Sequence, residues 1–113
     1  MEKYRRSSHS VYDIKVHVAW ITKYRKKVIE GDIAKRLQVL IRRICNENKA
    51  EILSGAISKD HVHILLGINA SVSVSKLMQR IKGRTSHQLQ MEYESLRKEY
   101  WGKHLYGRED IFV

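Results

Sequence analysis

Residues 11–22, VYDIKVHVAWIT, alternate between apolar and polar side chains with a period of two. One side of this segment carries Tyr12, Ile14, Val16, Val18 and Trp20. The other side carries Asp13, Lys15 and His17. Such alternation predicts a half-buried β-strand. The chain must therefore build a sheet that is covered on one face only.

The apolar period changes to that of a helix over residues 31–49, and Gly31-Asp32 offers a helix start. Residues 50–58 and 61–68 predict two further strands, joined by the polar hairpin Ser58-Lys59-Asp60. Two strands so close in sequence are expected to pair in an antiparallel hairpin.

A second, longer helical pattern runs from Val72 to Tyr100, with Gly83 in its middle, and residues 110–113 read as the start of a fourth strand. The order strand, helix, strand, strand, helix, strand predicts an α+β fold of the ferredoxin-like (βαββαβ) type over residues 1–113, a single domain. In this arrangement one antiparallel sheet carries both helices on one face, and its other face stays open.

Charge and composition narrow the class of protein. The formal net charge is +10, and residues 1–50 contribute 13 Lys and Arg against 5 Asp and Glu. This bias favours a polyanionic partner, nucleic acid before membrane, although a basic surface can also serve solubility alone. No apolar run approaches the ~20 residues that span a bilayer, and the N-terminus lacks the apolar core of a signal peptide. The single cysteine, Cys45, is expected to be buried, in a cytoplasmic protein.

His61 and His63 stand two residues apart at the head of the third predicted strand, so they share a face. Val62, Ile64 and Leu66 take the opposite face, which must lie under the helices. Two imidazoles on the open face can bind one divalent cation, with a third ligand from elsewhere. The alternative is two exposed histidines without a role. Asp60 could steady one imidazole, or serve only the hairpin, and His17 is not expected at the site.

Two basic clusters suit phosphate contacts. Lys23, Tyr24, Arg25, Lys26 and Lys27 follow the first strand and combine four cations with one aromatic ring, unless they form only a solvated turn. Lys82 and Arg84 flank Gly83, whose place inside a helix costs ~1 kcal/mol and implies either close approach of DNA or a partner, or a tolerated defect.

Expectations for three further segments follow from their composition and their place in the predicted elements. Arg42-Arg43 are expected on the outer face of the first helix, where they aid solubility. Tyr4-Arg5-Arg6 reads as a basic arm that could order on DNA. Trp101 is expected in the core or at an interface rather than as a stacking platform.

Four segments together resemble the TnpA-type, single-tyrosine HUH transposases of small, IS200-like insertion sequences. They are KVHVAW at 15–20 followed by Lys23-Tyr24-Arg25, KDHVHILL at 59–66, KGRTS at 82–86 and LYGREDIFV at 105–113. They occur in the family order over almost the whole chain. Thr22 departs from the pattern, because the family commonly has a proline there.

The resemblance implies a mechanism. His61 and His63 would hold Mg²⁺ or Mn²⁺, and the metal would polarise the scissile phosphate of single-stranded DNA. A tyrosine would attack, leaving a 5′-phosphotyrosine and a free 3′-OH. Family members are homodimers that recognise DNA hairpins. These properties are expectations carried by the resemblance.

The resemblance also places the nucleophilic tyrosine and a glutamine ligand on a helix after the fourth strand, whereas this sequence ends at Val113. None of its six tyrosines, Tyr4, Tyr12, Tyr24, Tyr93, Tyr100 and Tyr106, matches that position. The expectation is a C-terminally incomplete transposase domain that does not cleave DNA. The alternatives are a non-catalytic nucleic-acid-binding module with stacking aromatics on its sheet, and a truncated repressor of a full-length transposase.

Overall fold

The computed structural model describes residues 12–112, so the predicted Tyr4-Arg5-Arg6 arm lies outside the described residues. The elements are β1 (Ile14–Thr22), a 3₁₀ turn (Lys23–Arg25), α1 (Gly31–Glu47), β2 (Glu51–Ile57), β3 (His61–Ile68), α2 (Val74–Glu92), α3 (Glu94–Tyr100) and β4 (Tyr106–Phe112). The four strands form one sheet in the order β2-β3-β1-β4, and every neighbouring pair is antiparallel. The ferredoxin-like α+β fold is therefore confirmed.

The core lies between the sheet and the helices. The sheet contributes the buried residues Val16, Val18, Trp20, Val62, Ile64 and Leu66, and the helices contribute Leu37, Leu40, Ile41, Ile44, Leu77, Met78, Ile81, Leu89 and Leu96. The predicted alternation in β1 and β3 thus places its apolar side under the helices. We call the opposite side of the sheet the open face.

Tyr12 departs from the prediction that it shares the buried side of β1. A Cβ placed on Gly67 would lie 2.7 Å from Cγ of Tyr12. Gly67 falls on the same face of β3 as His63, so the Tyr12 ring lies on the open face. The reason is that Tyr12 precedes the first residue of β1, Ile14, and strand alternation does not govern it.

The long helical pattern predicted from Val72 to Tyr100 is broken. Tyr93 has extended backbone angles (φ −124°, ψ 105°) between α2 and α3. One straight helix over residues 74–100 would measure ~40 Å, longer than the ~30 Å of a nine-residue strand. The break turns α3 so that Leu96 and Tyr100 reach the core.

The fourth strand is also longer than predicted. It begins at Tyr106 rather than Asp110 and runs for seven residues. A register shift between Trp20 and Thr22 of β1 interrupts its pairing, so its first residues do not alternate regularly. Tyr106 is buried beside the Trp20 ring, with 6.0 Å between the ring centroids.

Three single-residue expectations have clear outcomes. Cys45 is buried, as predicted, and burial raises the pKa of its thiol to about 11. Arg42 and Arg43 are exposed on α1, as predicted. Trp101 is not in the core, because it is 86% exposed just after α3.

Among residues 12–112, no helix has the length and apolar character required to cross a bilayer.

Gly83 lies inside the continuous helix α2, and a Cβ added there would meet nothing within 4 Å. We expect Gly83→Ala to raise the free energy of unfolding by about 0.5–1 kcal/mol, because alanine has the higher helix propensity. Chemical denaturation of both proteins measures this difference. A loss of stability would show that the glycine backbone is needed within the fold itself.

Candidate nucleic-acid and metal site

His61 and His63 lie on the open face of β3, as predicted. Their rings are nearly parallel, 14° apart, with 6.2 Å between the centroids. The residues paired with His63 on the two neighbouring strands are Ala19 and Ala56. Directly opposite residues of an antiparallel sheet share a face, so small side chains flank His63. The two imidazoles are therefore accessible from the open side of the sheet.

Asp60 fixes the orientation of His61. Oδ1 of Asp60 lies 2.8 Å from Nδ1 of His61, and Oδ2 lies 3.4 Å from Nη2 of Arg25. The hydrogen bond with His61, together with the charge of Arg25, lowers the pKa of the Asp60 carboxyl. The ionised carboxylate accepts a hydrogen bond from Nδ1–H, an arrangement that leaves Nε2 of His61 free to bind a metal.

We expect Asp60→Asn to weaken divalent-metal binding by about tenfold, since the partner that orients a ligating imidazole contributes about 10–100-fold to affinity. Calorimetric titration with Mn²⁺ measures this change. Glu30→Gln is the matched control, because this exposed carboxylate pairs with Lys59 in the same region without contacting a histidine. Equal affinities in the wild type and Asp60→Asn would assign Asp60 to the hairpin alone.

Residues 23–27, which we call the basic turn, lie at the same end of the sheet as His61. In the β1–β3 pairing Ile21 is opposite His61, and the Thr22 amide donates to the Asp60 carbonyl over 2.9 Å. The hydroxyl of Thr22 is buried and donates to the Lys26 carbonyl over 2.7 Å. Thr22 thus helps to tie the basic turn to the hairpin that carries His61.

The side chains of the basic turn differ in their exposure and in their contacts with other residues. Tyr24 is 74% exposed and has a left-handed backbone, with φ 62°. Nζ of Lys23 and Nζ of Lys26 lie 5.9 Å and 5.8 Å from its ring centroid. Lys26 also forms an ion pair with Glu99, whereas Arg25 and Lys27 are exposed. The turn presents cations around a protruding aromatic ring.

The second predicted basic cluster lies elsewhere. Nζ of Lys82 is 2.9 Å from Oε1 of Glu109 and from the Gly107 carbonyl oxygen, and its side chain is only 13% exposed. Arg84 forms an ion pair with Glu47 of α1 at 3.0 Å. Both residues belong to the helical layer, on the other side of the sheet from the histidines. Their predicted contact with DNA remains a prediction, at a surface separate from the histidine pair.

Two aromatic residues that sequence reasoning did not place at the site lie beside it. The His17 ring is 5.4 Å from the His63 ring, and the Phe112 ring is 6.4 Å from the His17 ring, centroid to centroid. His17 pairs with Phe112 across β1 and β4. Their proximity depends on the register between strands distant in sequence, for which one sequence holds no signal.

The residues fit a divalent metal as part of its ligand set. The open Nε2 of His61 and the nearby His63 ring supply two imidazole donors. Within residues 12–112, no group of three or more His, Cys, Asp or Glu side chains is arranged to hold a metal. A third ligand would have to be water, phosphate or a group outside this set.

Three of the five described tyrosines, Tyr93, Tyr100 and Tyr106, are poor candidates for a nucleophile at the histidines. The Tyr106 hydroxyl lies 2.7 Å from Oγ1 of Thr85, and burial raises the pKa of the phenol. The Tyr100 hydroxyl donates to the Lys23 carbonyl, and burial raises its pKa as well. The Tyr93 hydroxyl donates to the Asp32 carbonyl. None of these three phenols is bonded to a histidine.

Comparison with known proteins identifies the class. The profile of the family described as "Transposase IS200 like" matches residues 10–110. The chain is 29% identical over 97 residues to the ISDra2 transposase TnpA of Deinococcus radiodurans, covering 86% of this chain and 69% of the relative. It is 28% identical over 101 residues to the transposase for insertion sequence element IS200 of Salmonella typhimurium, covering 89% of this chain and 66% of the relative.

Solved structures agree with this classification. A crystal structure of a transposase-like protein from Deinococcus radiodurans superposes with a TM-score of 0.83 at 26% identity, covering 100% of this chain and 85% of that one. A REP-associated tyrosine transposase bound to a REP hairpin shares the fold, with a TM-score of 0.68 at 15% identity over 99% of this chain and 61% of that one. The fold is that of a transposase-type α+β domain. The chain belongs to the family of IS200-like transposases.

Proposed function

We propose that residues 12–112 bind single-stranded DNA beside a hairpin, and that His61 and His63 hold Mg²⁺ or Mn²⁺ at the scissile phosphate. The observation that carries this proposal is the contact chain Arg25–Asp60–His61, which joins the basic turn to the histidine pair. The reaction class is strand cleavage and transfer by tyrosine transesterification. A bound metal would withdraw charge from the phosphate oxygens.

Each residue near the histidine pair has a separate role in the proposed binding of DNA. Asp60 keeps the Nδ1 proton of His61 on the side away from DNA. Lys23, Arg25 and Lys27 neutralise phosphates at the edge of the site. The exposed ring of Tyr24 offers one base a stacking surface. The tyrosine transposase that shares this fold is bound to a REP hairpin, which supports a DNA hairpin as the partner proposed for this chain.

The nucleophile is proposed to come from outside the described residues. None of the described tyrosines matches the position that the resemblance gives the nucleophile. The hydroxyls of Tyr93, Tyr100 and Tyr106 also form hydrogen bonds with other groups. Residues 12–112 alone are expected to bind DNA without cleaving it. The homodimer implied by the family resemblance, and a cytoplasmic location compatible with the free thiol of Cys45, remain predictions.

Binding measurements test the proposal. A labelled DNA hairpin with a single-stranded flank is titrated with the chain, with and without Mn²⁺, and a blunt duplex of equal phosphate number is the control. We expect tighter binding of the flanked hairpin and a further gain with Mn²⁺. Equal affinity for both DNAs, with or without metal, would contradict the proposal.

One rival function has a specific observation in its favour. Tyr12, His17 and Phe112 place aromatic rings on the open face, as a non-catalytic nucleic-acid-binding module would require. In that module the histidines would not bind metal. The flanked hairpin would then bind equally well in Mn²⁺ and in a chelator, and His61→Ala would leave metal titrations unchanged.

A further inference from the structure

A row of rings crosses the open face from one edge strand to the histidine pair. It runs from Phe112 on β4 through His17 on β1 to His63 and His61 on β3, with centroid separations of 6.4, 5.4 and 6.2 Å. Phe112 is 59% exposed, although it is a large apolar side chain at the end of a strand. Its pairing with His17 places this ring on the open face.

We propose that Phe112 and His17 form a stacking subsite for the base adjacent to the phosphate at the histidine pair. This inference rests on the proposed function and names positioning residues for it. Rings on an open sheet face are a sequence-tolerant platform for unpaired bases, since every base has a π-face. Neighbouring rings of the row are 5.4–6.4 Å apart, so a base on Phe112 or His17 is a neighbour of the metal site.

The surroundings of these rings suit unpaired bases. The floor between the strands is built from the small residues Ala19 and Ala56, which leave room above the sheet. Asp110 pairs with Ala19, so its carboxylate shares the face. A negative charge there disfavours phosphate, and bases rather than the backbone should therefore face β4. Cations for the phosphates flank the rings: the basic turn lies beyond His61, and the exposed Lys15 and Arg108 lie on β1 and β4.

The Tyr12 ring extends the same face in the other direction. It covers Gly67, six residues along β3 from His61, a distance of ~20 Å along an extended strand. The open face therefore offers a track from Tyr12 to His61 that suits a short extended stretch of DNA. A folded duplex has no unpaired bases to present to such a track.

The test compares a 12-nucleotide poly-dT strand with an abasic 12-mer of the same charge, by fluorescence anisotropy in EDTA. Metal is excluded, so only the chain's own contacts contribute. We expect the wild type to prefer poly-dT, and Phe112→Leu to weaken poly-dT binding about 5- to 150-fold, the range for one stacked base. Abasic binding should not change, and Phe112→Tyr should restore the preference.

Trp101→Leu is the matched control, because this ring is 86% exposed but lies after α3, off the sheet. It should leave the preference for poly-dT intact. The inference is overturned if the wild type shows no preference, or if Phe112→Leu and Trp101→Leu behave alike. It is also overturned if Phe112→Leu changes only the oligomeric state in sedimentation, which would make the ring a contact between copies.

Failure of this inference is distinguishable from failure of the proposed function. If binding of the flanked hairpin depends on the basic turn and on Mn²⁺ while Phe112→Leu is silent, the site stands and the stacking subsite does not. In a second readout, Phe112→Trp is placed in a Trp101→Phe background, where the other tryptophan, Trp20, is buried. Poly-dT should quench its fluorescence, and the abasic strand should not.

Discussion

Replacing His63 with alanine should reduce Mn²⁺ affinity by at least about 100-fold, because one of two protein donors is lost and even an orienting partner contributes 10–100-fold. The loss should appear in calorimetric titration in the absence of DNA. His61→Ala should behave in the same way, since both imidazoles lie on the open face with their rings nearly parallel. Variants of the basic turn should leave the Mn²⁺ titration unchanged, because the proposed metal donors are the two histidines.

His87→Ala is the matched control for the histidine variants. His87 is exposed on α2, in the helical layer. Its replacement should leave the Mn²⁺ titration unchanged, and thermal unfolding should show that all three variants fold. If His87→Ala weakens Mn²⁺ binding as much as His63→Ala, the measured ions bind exposed imidazoles without a defined site.

Removing three charges from the basic turn should produce the largest loss of DNA affinity. For Lys23→Ala, Arg25→Ala and Lys27→Ala combined, we expect the slope of log K against log salt to fall by about two, at about 0.7 per phosphate contact for single strands. Affinity for the flanked hairpin should drop by about 10- to 100-fold near 0.1 M salt. Anisotropy titrations over a salt series measure both quantities.

The control is a triple variant with the same change in net charge. Lys35, Arg42 and Arg43 are exposed on α1, away from the histidine pair. If alanine at these three positions weakens binding as strongly as the variant of the basic turn, DNA is attracted by net charge alone. A defined path past His61 requires the two triple variants to differ.

Features set within a single strand or turn were predicted correctly from the sequence. The alternation in residues 61–66 placed His61 and His63 on one face and Val62, Ile64 and Leu66 on the other, because strand periodicity is local. The basic turn was also predicted from neighbours in sequence. These two features, the histidine pair and the adjacent cations, form most of the candidate site.

Relations between distant segments could not be predicted in the same way. The proximity of His17 to His63, and of Phe112 to His17, depends on which strands pair and in what register. The contact of Arg25 with Asp60 joins residues 35 positions apart. One sequence specifies each strand's faces, but not the alignment of one strand against another.

The predicted end of α2 and the predicted start of β4 were wrong, because tertiary packing overrides the local sequence pattern at both places. The period of α2 continues into α3, yet Tyr93 breaks the helix so that Leu96 and Tyr100 can pack in the core. The start of β4 was missed because Tyr106 is buried in the core and a register shift follows it, so the first residues of β4 do not alternate regularly. In both cases the stabilising contacts come from other elements, which the local sequence does not encode.

Cleavage by iron placed at the histidine pair would show whether this site lies against bound single-stranded DNA. Fe²⁺ replaces Mn²⁺ in a complex with the flanked hairpin, and peroxide with ascorbate generates radicals that cut only nearby DNA. We predict cuts confined to a few nucleotides of the single-stranded flank, and their absence in His63→Ala. Cuts spread evenly along the DNA, or equal in His63→Ala, would contradict a metal site that lies against bound single-stranded DNA.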